Sequence, residues 1–323
     1  MHKNKFLTLL LTGALSLGAV ACGSDDSSDS GSSSSGGSSS GEKLSGKIAI
    51  DGSSTVFPFA QAAAELFREQ QPDVNVTVGE SGTGGGFEKF CAGETDISNA
   101  SRPIDEEEEV PVCKKNGVKY EDTQVANDGI AIVTNPAMAV DCLTVDQLKT
   151  LWSDDKVSDY GDLGVDGLSG KVSLYGPGTD SGTFDFFTEE VNGEKGVTRK
   201  DYQPSEDDNV LVQGVAGDQT GLGYFGFSYY EQNQDKLNLV GVDGGDGCVK
   251  PSVETIQDGS YKPLSRPLFM YPSAKAIARP EVKAFLEFVV DNYADIAEAA
   301  QIVPMTDAQA AEAKTAVDKL AGS

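Results

Sequence analysis

Short apolar segments alternate with amphipathic ones along most of this chain, and the period of each segment sets the element it predicts. Residues 46–50 read as a strand, and residues 58–70 as a helix with Phe59, Ala63, Leu66 and Phe67 on its apolar face. Residues 73–78 alternate as a second strand, 87–92 form a short helix, and 96–100 form a third strand. Asp105 then caps an acidic first turn over 106–109, with Lys114 and Lys115 near the other end. That charge order suits a helix dipole, so the Glu run reads as a solvated helix start, kept short by Pro111. Further on come a strand over 129–134, a helix over 145–152, a strand over 171–175, a helix over 183–190 and a strand over 221–226. Residues 267–271 read as a strand returning to the first half. Residues 281–300 are the longest helical stretch, with Val282, Phe285, Phe288, Val289, Tyr293 and Ile296 on one apolar side. This β-α-β-α-β order predicts an α/β fold: parallel sheets covered by helices, in two lobes joined by crossing strands.

Three Gly/Ser/Thr clusters sit where predicted strands give way to helices. They are Asp51-Gly-Ser-Ser-Thr-Val-Phe-Pro58, Glu80-Ser-Gly-Thr-Gly-Gly-Gly-Phe87 and Tyr175-Gly-Pro-Gly-Thr-Asp-Ser-Gly-Thr-Phe184. Any one of them reads equally well as a turn or cap. Together they predict a site for a small oxyanion. The first N–H groups of a helix have no intrahelical acceptor, the helix dipole adds partial positive charge, and the hydroxyls add donors. Ligands of open α/β sheets bind beyond the carboxyl ends of strands, where all three clusters fall, on either side of a cleft.

Residues 1–21 read as a secretory leader, with Lys3 and Lys5 before an apolar stretch and Ala19-Val-Ala21 before Cys22. The placement of Cys22 matches a bacterial lipobox, which implies lipidation there, although Ala stands at position 19 where Leu is commoner. The Ser/Gly-rich segment 22–45 reads as a tether, mooring the globular part to a bilayer outside the cytoplasm. Four cysteines remain: Cys91, Cys113, Cys142 and Cys248. An even count outside the cytoplasm favours disulfides, and three pairings are open. Cys91–Cys113 with Cys142–Cys248 keeps each pair within one predicted lobe, taking 46–130 plus 266–323 as lobe I and 131–265 as lobe II.

The net charge of −26 argues against a nucleic-acid partner and suits a dispersed, exported, monomeric protein. It leaves room for an enclosed anion site, because salt screens distant charge over about 8 to 10 Å. The single histidine is His2, in the leader. Histidine metal sites and histidine-based nucleophilic catalysis are therefore missing from the rest of the chain, and no Walker lysine follows the Gly-rich turns. Asp51 and Asp180 read as a strand end and a helix cap rather than an acid–base pair. The expectation is a binding protein without cofactor or metal, not an enzyme.

Gly-Ser-Ser-Thr-Val-Phe-Pro, Ser-Gly-Thr-Gly-Gly-Gly, Asp-Ile-Ser-Asn-Ala-Ser-Arg-Pro and Thr-Asp-Ser-Gly-Thr-Phe resemble, in the same order, motifs of the extracytoplasmic phosphate-binding proteins of bacterial ABC importers. The resemblance covers residues 46–323. It implies a two-lobed type II periplasmic-binding-protein fold, with inorganic phosphate in the cleft and permease subunits with a cytoplasmic ATPase as partners. Carried over by position, Ser54, Thr55, Thr83, Ser181, Gly182 and Thr183 would bind phosphate. Two departures stand out: Pro177 occupies the position of a family arginine, and Ser101 that of a family aspartate. Arg102 is then expected to supply the guanidinium, unless it is a surface ion-pair partner of the 106–109 run. Asp180 is expected to accept the phosphate proton that sulfate lacks. The competing readings are a receptor for sulfate, molybdate or arsenate, a phosphate-sensing lipoprotein, and a phosphoester hydrolase that lacks visible machinery.

Overall fold

A computed structural model provides the structure, which describes residues 43–322 apart from 154, 180 and 206. The leader, Cys22, the tether as far as residue 42, and Asp180 lie outside the described residues. Eleven strands are present among those described: β1 (Gly46–Gly52), β2 (Val74–Val78), β3 (Ile97–Ala100), β4 (Thr123–Thr134), β5 (Cys142–Thr144), β6 (Ser173–Pro177), β7 (Gln203–Ser205), β8 (Gly221–Gly226), β9 (Asn238–Asp243), β10 (Cys248–Val249) and β11 (Ser265–Pro272). The helices that position the site are α1 (Phe57–Gln70), α2 (Gly82–Ala92), α3 (Glu109–Lys115), α4 (Val145–Ser153) and α5 (Gly182–Phe187).

The fold is of the α/β class. β1 pairs in parallel with β2 and β3, placing Ile48 opposite Val76 and Asp51 opposite Ser98. β6 pairs in parallel with β7 and β8. Two antiparallel strands link these parallel sets into one hydrogen-bonded path: β11 runs beside β3 and β4, and β4 continues beside β8 and β9. Nearly every residue of β4 is buried, as befits a strand covered on both faces.

Apolar side chains gather into two large clusters and a small one. The first holds Ile48, Phe59, Phe67, Leu268, Phe285 and Val289, with Leu66 packed at its margin. The second holds Ile132, Trp152, Phe187, Leu222 and Tyr224, where Trp152 meets Tyr224 edge-on and Phe187 stacks on Tyr224. The third surrounds Phe87, Phe90 and Tyr271. Its Cys91 and Cys113 are joined, and Cys142 is joined to Cys248, so both disulfides follow the pairing within predicted lobes.

The structure departs from the sequence pattern in three instructive places. Helix α2 begins at Gly82 rather than at residue 87. Gly86 permits close approach to β1, since a Cβ on it would sit 2.5 Å from the Gly52 Cα. Second, the acidic run is a turn capped by Asp105 and exposed over 106–108, as expected, with the Glu109 N–H donating to the Asp105 carbonyl, but it is not yet regular helix. Asp105 does accept from the Glu107 and Glu108 N–H groups, but regular helix starts only at Glu109, whose side chain is turned to a protein partner rather than solvated. Third, the long C-terminal helix is two helices, Pro280–Asp291 and Tyr293–Ala299, broken at Asn292. The Asn292 side-chain amide and its backbone N–H both donate to the Phe288 carbonyl, a local competition typical of Asn. Among the described residues no helix is long and apolar enough to cross a membrane.

Candidate functional site

Three connections from strand to helix or turn, those after β1, β2 and β3, form one wall of a cleft. The other wall comes from α5, its π-helical continuation (Thr188–Asn192) and Lys195, and residues of 262–267 line the cleft as well. The cleft measures about 550 Å³. On the first wall, the Ser53 N–H donates to the Asn99 carbonyl (2.9 Å), which holds the Ser54–Thr55 turn against β3. Pro58 in the first turn of α1 lacks an N–H that would have had no partner there anyway. After β2, Thr83 enters the cleft beside Ser101. Their hydroxyls lie 3.1 Å apart, and the Ser101 N–H donates to Thr83 Oγ1 at 3.2 Å.

On the opposite wall, the Ser181 side chain caps α5 by accepting from the Thr183 N–H at 3.2 Å. Gly182 is pressed against the first wall. A Cβ there would lie 2.5 Å from Thr55 Oγ1 and 2.8 Å from Ser54 Oγ. Of the residues expected from sequence, Ser54, Thr55, Thr83, Ser101, Arg102 and Gly182 therefore line one cleft. Ser181 and Thr183 flank Gly182 without lining it, and Asp180 lies outside the described residues.

Arg102 lines the cleft mouth but is occupied. Its Nη1 and Nη2 donate to the two carboxylate oxygens of Glu109 at 2.9 and 2.8 Å, and the side chain is 46% exposed. The bidentate Glu109 carboxylate holds the guanidinium above its usual range. Asp51, at the end of β1, is turned away to Lys89 (2.7 Å) and the Ser81 hydroxyl. Burial pushes its carboxyl up, but those partners outweigh burial and hold it below the usual range.

The sequence pattern did not single out Arg266, at the start of β11. Its Nη2 donates to Thr55 Oγ1 at 2.7 Å and its Nε to Asp128 Oδ2 at 3.2 Å, while its Cζ lies 3.6 Å from the centre of the Phe186 ring. Burial pulls this guanidinium below its usual range, against the opposing pull of Asp128. The available signal was a pair of opposite charges, Asp128 and Arg266, each just ahead of an apolar strand segment. Lys195 and Lys262 add positive charge, and Asp185, Glu189 and Glu190 add negative charge. A second cavity, about 540 Å³, is lined by Phe90, Asp96, Lys119 and Arg279. It gathers none of the three clusters' hydroxyls, and its arginine is held by Asp96 at 2.6 Å.

A cleft lined with hydroxyls and guanidinium groups, with walls reaching it from two sheet regions, invites comparison with known receptors. A PBP superfamily domain matches residues 37–292. The chain is 41% identical over 280 residues to the phosphate-binding protein PstS of Staphylococcus saprophyticus, covering 86% of each. It is 44% identical over 262 residues to protein SphX of Synechococcus elongatus, covering 80% of this chain and 77% of that one. Among solved structures, it resembles a possible phosphate binding protein from Planctomyces limnophilus. The TM-score there is 0.80 at 42% identity, over 86% of this chain and 99% of that one. A putative phosphate ABC transporter substrate-binding protein from Clostridium perfringens, solved with bound phosphate, gives a TM-score of 0.57 at 28% identity, over 81% and 100% of the two chains. The chain belongs to the PBP superfamily, in the family of the PstS phosphate-binding proteins.

Proposed function

We propose that this protein is an extracytoplasmic receptor that binds inorganic phosphate in the cleft and hands it to an ABC-type import permease. The observation that carries this reading is the meeting of Gly182 with Ser54 and Thr55, which brings separate Gly/Ser/Thr clusters to one point. A small anion held there gives up its water and receives hydroxyl, backbone N–H and guanidinium donors instead. Hydrogen bonds to a charged acceptor are roughly twice as strong as neutral ones, which offsets the desolvation. The Thr83 and Ser101 hydroxyls share one hydrogen bond, so one of the two hydroxyl protons is left to donate. The relatives named for phosphate favour this anion over sulfate or molybdate.

In this reading Ser54, Thr55, Thr83, Ser101, Ser181, Gly182 and Thr183 bind the anion, and Arg102 adds positive charge at the mouth. Asp180 accepts the phosphate proton, a role that rests on its place in the sequence. The two walls move together around bound phosphate, with 46–130 plus 266–323 on one side and 131–265 on the other. The chain works as a monomer, moored by a lipid on Cys22, and catalyses no reaction. Titration calorimetry of phosphate-free protein with phosphate and sulfate tests the proposal. Saturable one-to-one binding of phosphate with a clear margin over sulfate is expected. Absence of phosphate binding, or sulfate bound equally well, overturns it.

A further inference from the structure

We propose that Arg266 supplies the buried guanidinium that binds the anion, a role the motifs do not assign to it; the inference rests on the phosphate-receptor reading. An arginine carries five N–H donors in a rigid planar fork. Arg266 uses one on Thr55 and one on Asp128, and no other hydrogen-bond partner is found for it among the described residues. Its side chain is only 15% exposed, yet it lines the cleft. The remaining donors belong to a largely buried cation that lines the cleft, with Glu189 and Glu190 on the same cleft, and an oxyanion there would complete them.

The surroundings fix the direction of that fork. Asp128 lies opposite Arg266 in the register of β4 and β11 and takes the Nε edge. Phe186, from the opposite wall, covers one face of the guanidinium plane. Thr55 accepts from Nη2, so the Thr55 hydroxyl must send its own proton elsewhere, and Thr55 lines the same cleft. One arginine thus offers its own N–H groups and also orients a neighbouring donor. Arg102 differs on each count. It is nearly half exposed, its two terminal nitrogens both donate to the Glu109 carboxylate, and Nη1 donates to the Pro103 carbonyl as well. The guanidinium that the resemblance leads one to expect at Pro177 would then come from the junction of β4 and β11 rather than from the residue after Ser101.

The test is phosphate calorimetry on the full chain with Arg266→Gln, Arg266→Lys and Arg102→Gln. Removing one partner of a buried, hydrogen-bonded charge pair typically weakens binding roughly 30-fold or more, and that loss is expected for Arg266→Gln. Arg266→Lys keeps the charge without the fork and should recover part of the loss, a rescue that a purely structural role would not produce. Arg102→Gln should lose less than Arg266→Gln. Circular dichroism and melting curves follow each variant. Should Arg266→Gln fail to fold, arginine-selective nitrogen NMR of the wild-type chain decides, with the Arg266 side-chain signals identified by their loss in Arg266→Lys. Those signals are expected to shift on addition of phosphate. A folded Arg266→Gln protein with wild-type affinity, or Arg266 signals unmoved by saturating phosphate, overturns the inference and leaves the receptor standing. A wild-type protein that binds no phosphate overturns both.

Discussion

Gly182→Ala isolates the closeness of the two cleft walls. The added methyl would lie 2.5 Å from Thr55 Oγ1, 2.7 Å from the Thr55 backbone nitrogen and 2.8 Å from Ser54 Oγ. A rotating hydroxyl can yield, but the backbone nitrogen cannot. Comfortable non-bonded contact needs ~3.5 Å, so the walls must part by about 0.8 Å. That shift stretches a hydrogen bond of ~2.9 Å beyond the useful limit. Each bond to a charged group contributes about 1.5–3 kcal/mol, so losing two from one wall weakens phosphate roughly 100-fold or more. The unliganded fold should hardly notice. Residue 182 begins α5, where alanine is the better helix former, and a change free to open into solvent stays within about 0.5 kcal/mol. Calorimetry reads the affinity, and small-angle scattering compares the radius of gyration with and without phosphate. Near wild-type affinity in Gly182→Ala would refute the reasoning, because the contact of Gly182 with the Ser54–Thr55 turn would then not belong to the bound state.

Two further outcomes follow from features outside the cleft. Replacing both Cys142 and Cys248 by Ala releases a crosslink spanning 106 residues, for which chain entropy gives about 4–5 kcal/mol; the 22-residue Cys91–Cys113 link should cost less, about 3 kcal/mol. Denaturant unfolding of both variants checks the order. Asp218 accepts from the Ser173 and Tyr175 hydroxyls and from Thr220; burial pushes its carboxyl up, but these bonds outweigh burial and hold it below the usual range. Its stabilisation is therefore complete above the unfolded carboxylate range of about 4 and is lost as pH falls through the lower folded value. Asp218→Asn should cost about 1–2 kcal/mol at pH 7 and progressively less in acid, whereas a pH-independent difference would argue against a charged Asp218.

What could be read from the chain was mostly local. Alternation over 46–50 and 73–78 and the small-residue clusters at strand ends depend on neighbours a few positions away, and residues of all three clusters line one cleft. Two errors came from treating local propensity as decisive. Glycine counts against helix, yet Gly84, Gly85 and Gly86 are helical, and Gly86 packs tightly on β1. The apolar face over 281–300 looked continuous, yet the Asn292 amide broke it. Arg266 escaped notice for a different reason. Its partners Asp128 and Thr55 are 138 and 211 residues away; the pairing of β11 with β3, beside β1, brings up the second, and its pairing with β4 brings up the first.

That pairing also constrains how the molecule can move. The twelve residues of β4 pass from hydrogen bonds with β11 directly into hydrogen bonds with β8, without an intervening loop. Any relative displacement of the cleft walls must be absorbed by a ladder of backbone bonds, interrupted only by the bulge between Leu268 and Phe269. Such a ladder behaves as a leaf spring: it twists and bends, but it resists sliding and stretching. Bending along that ladder keeps Thr55 and Gly182 in register with each other under the closure proposed for phosphate. If phosphate draws the walls together as proposed, the bend stored in this ladder would make the outline of the protein itself a report on whether the cleft is full.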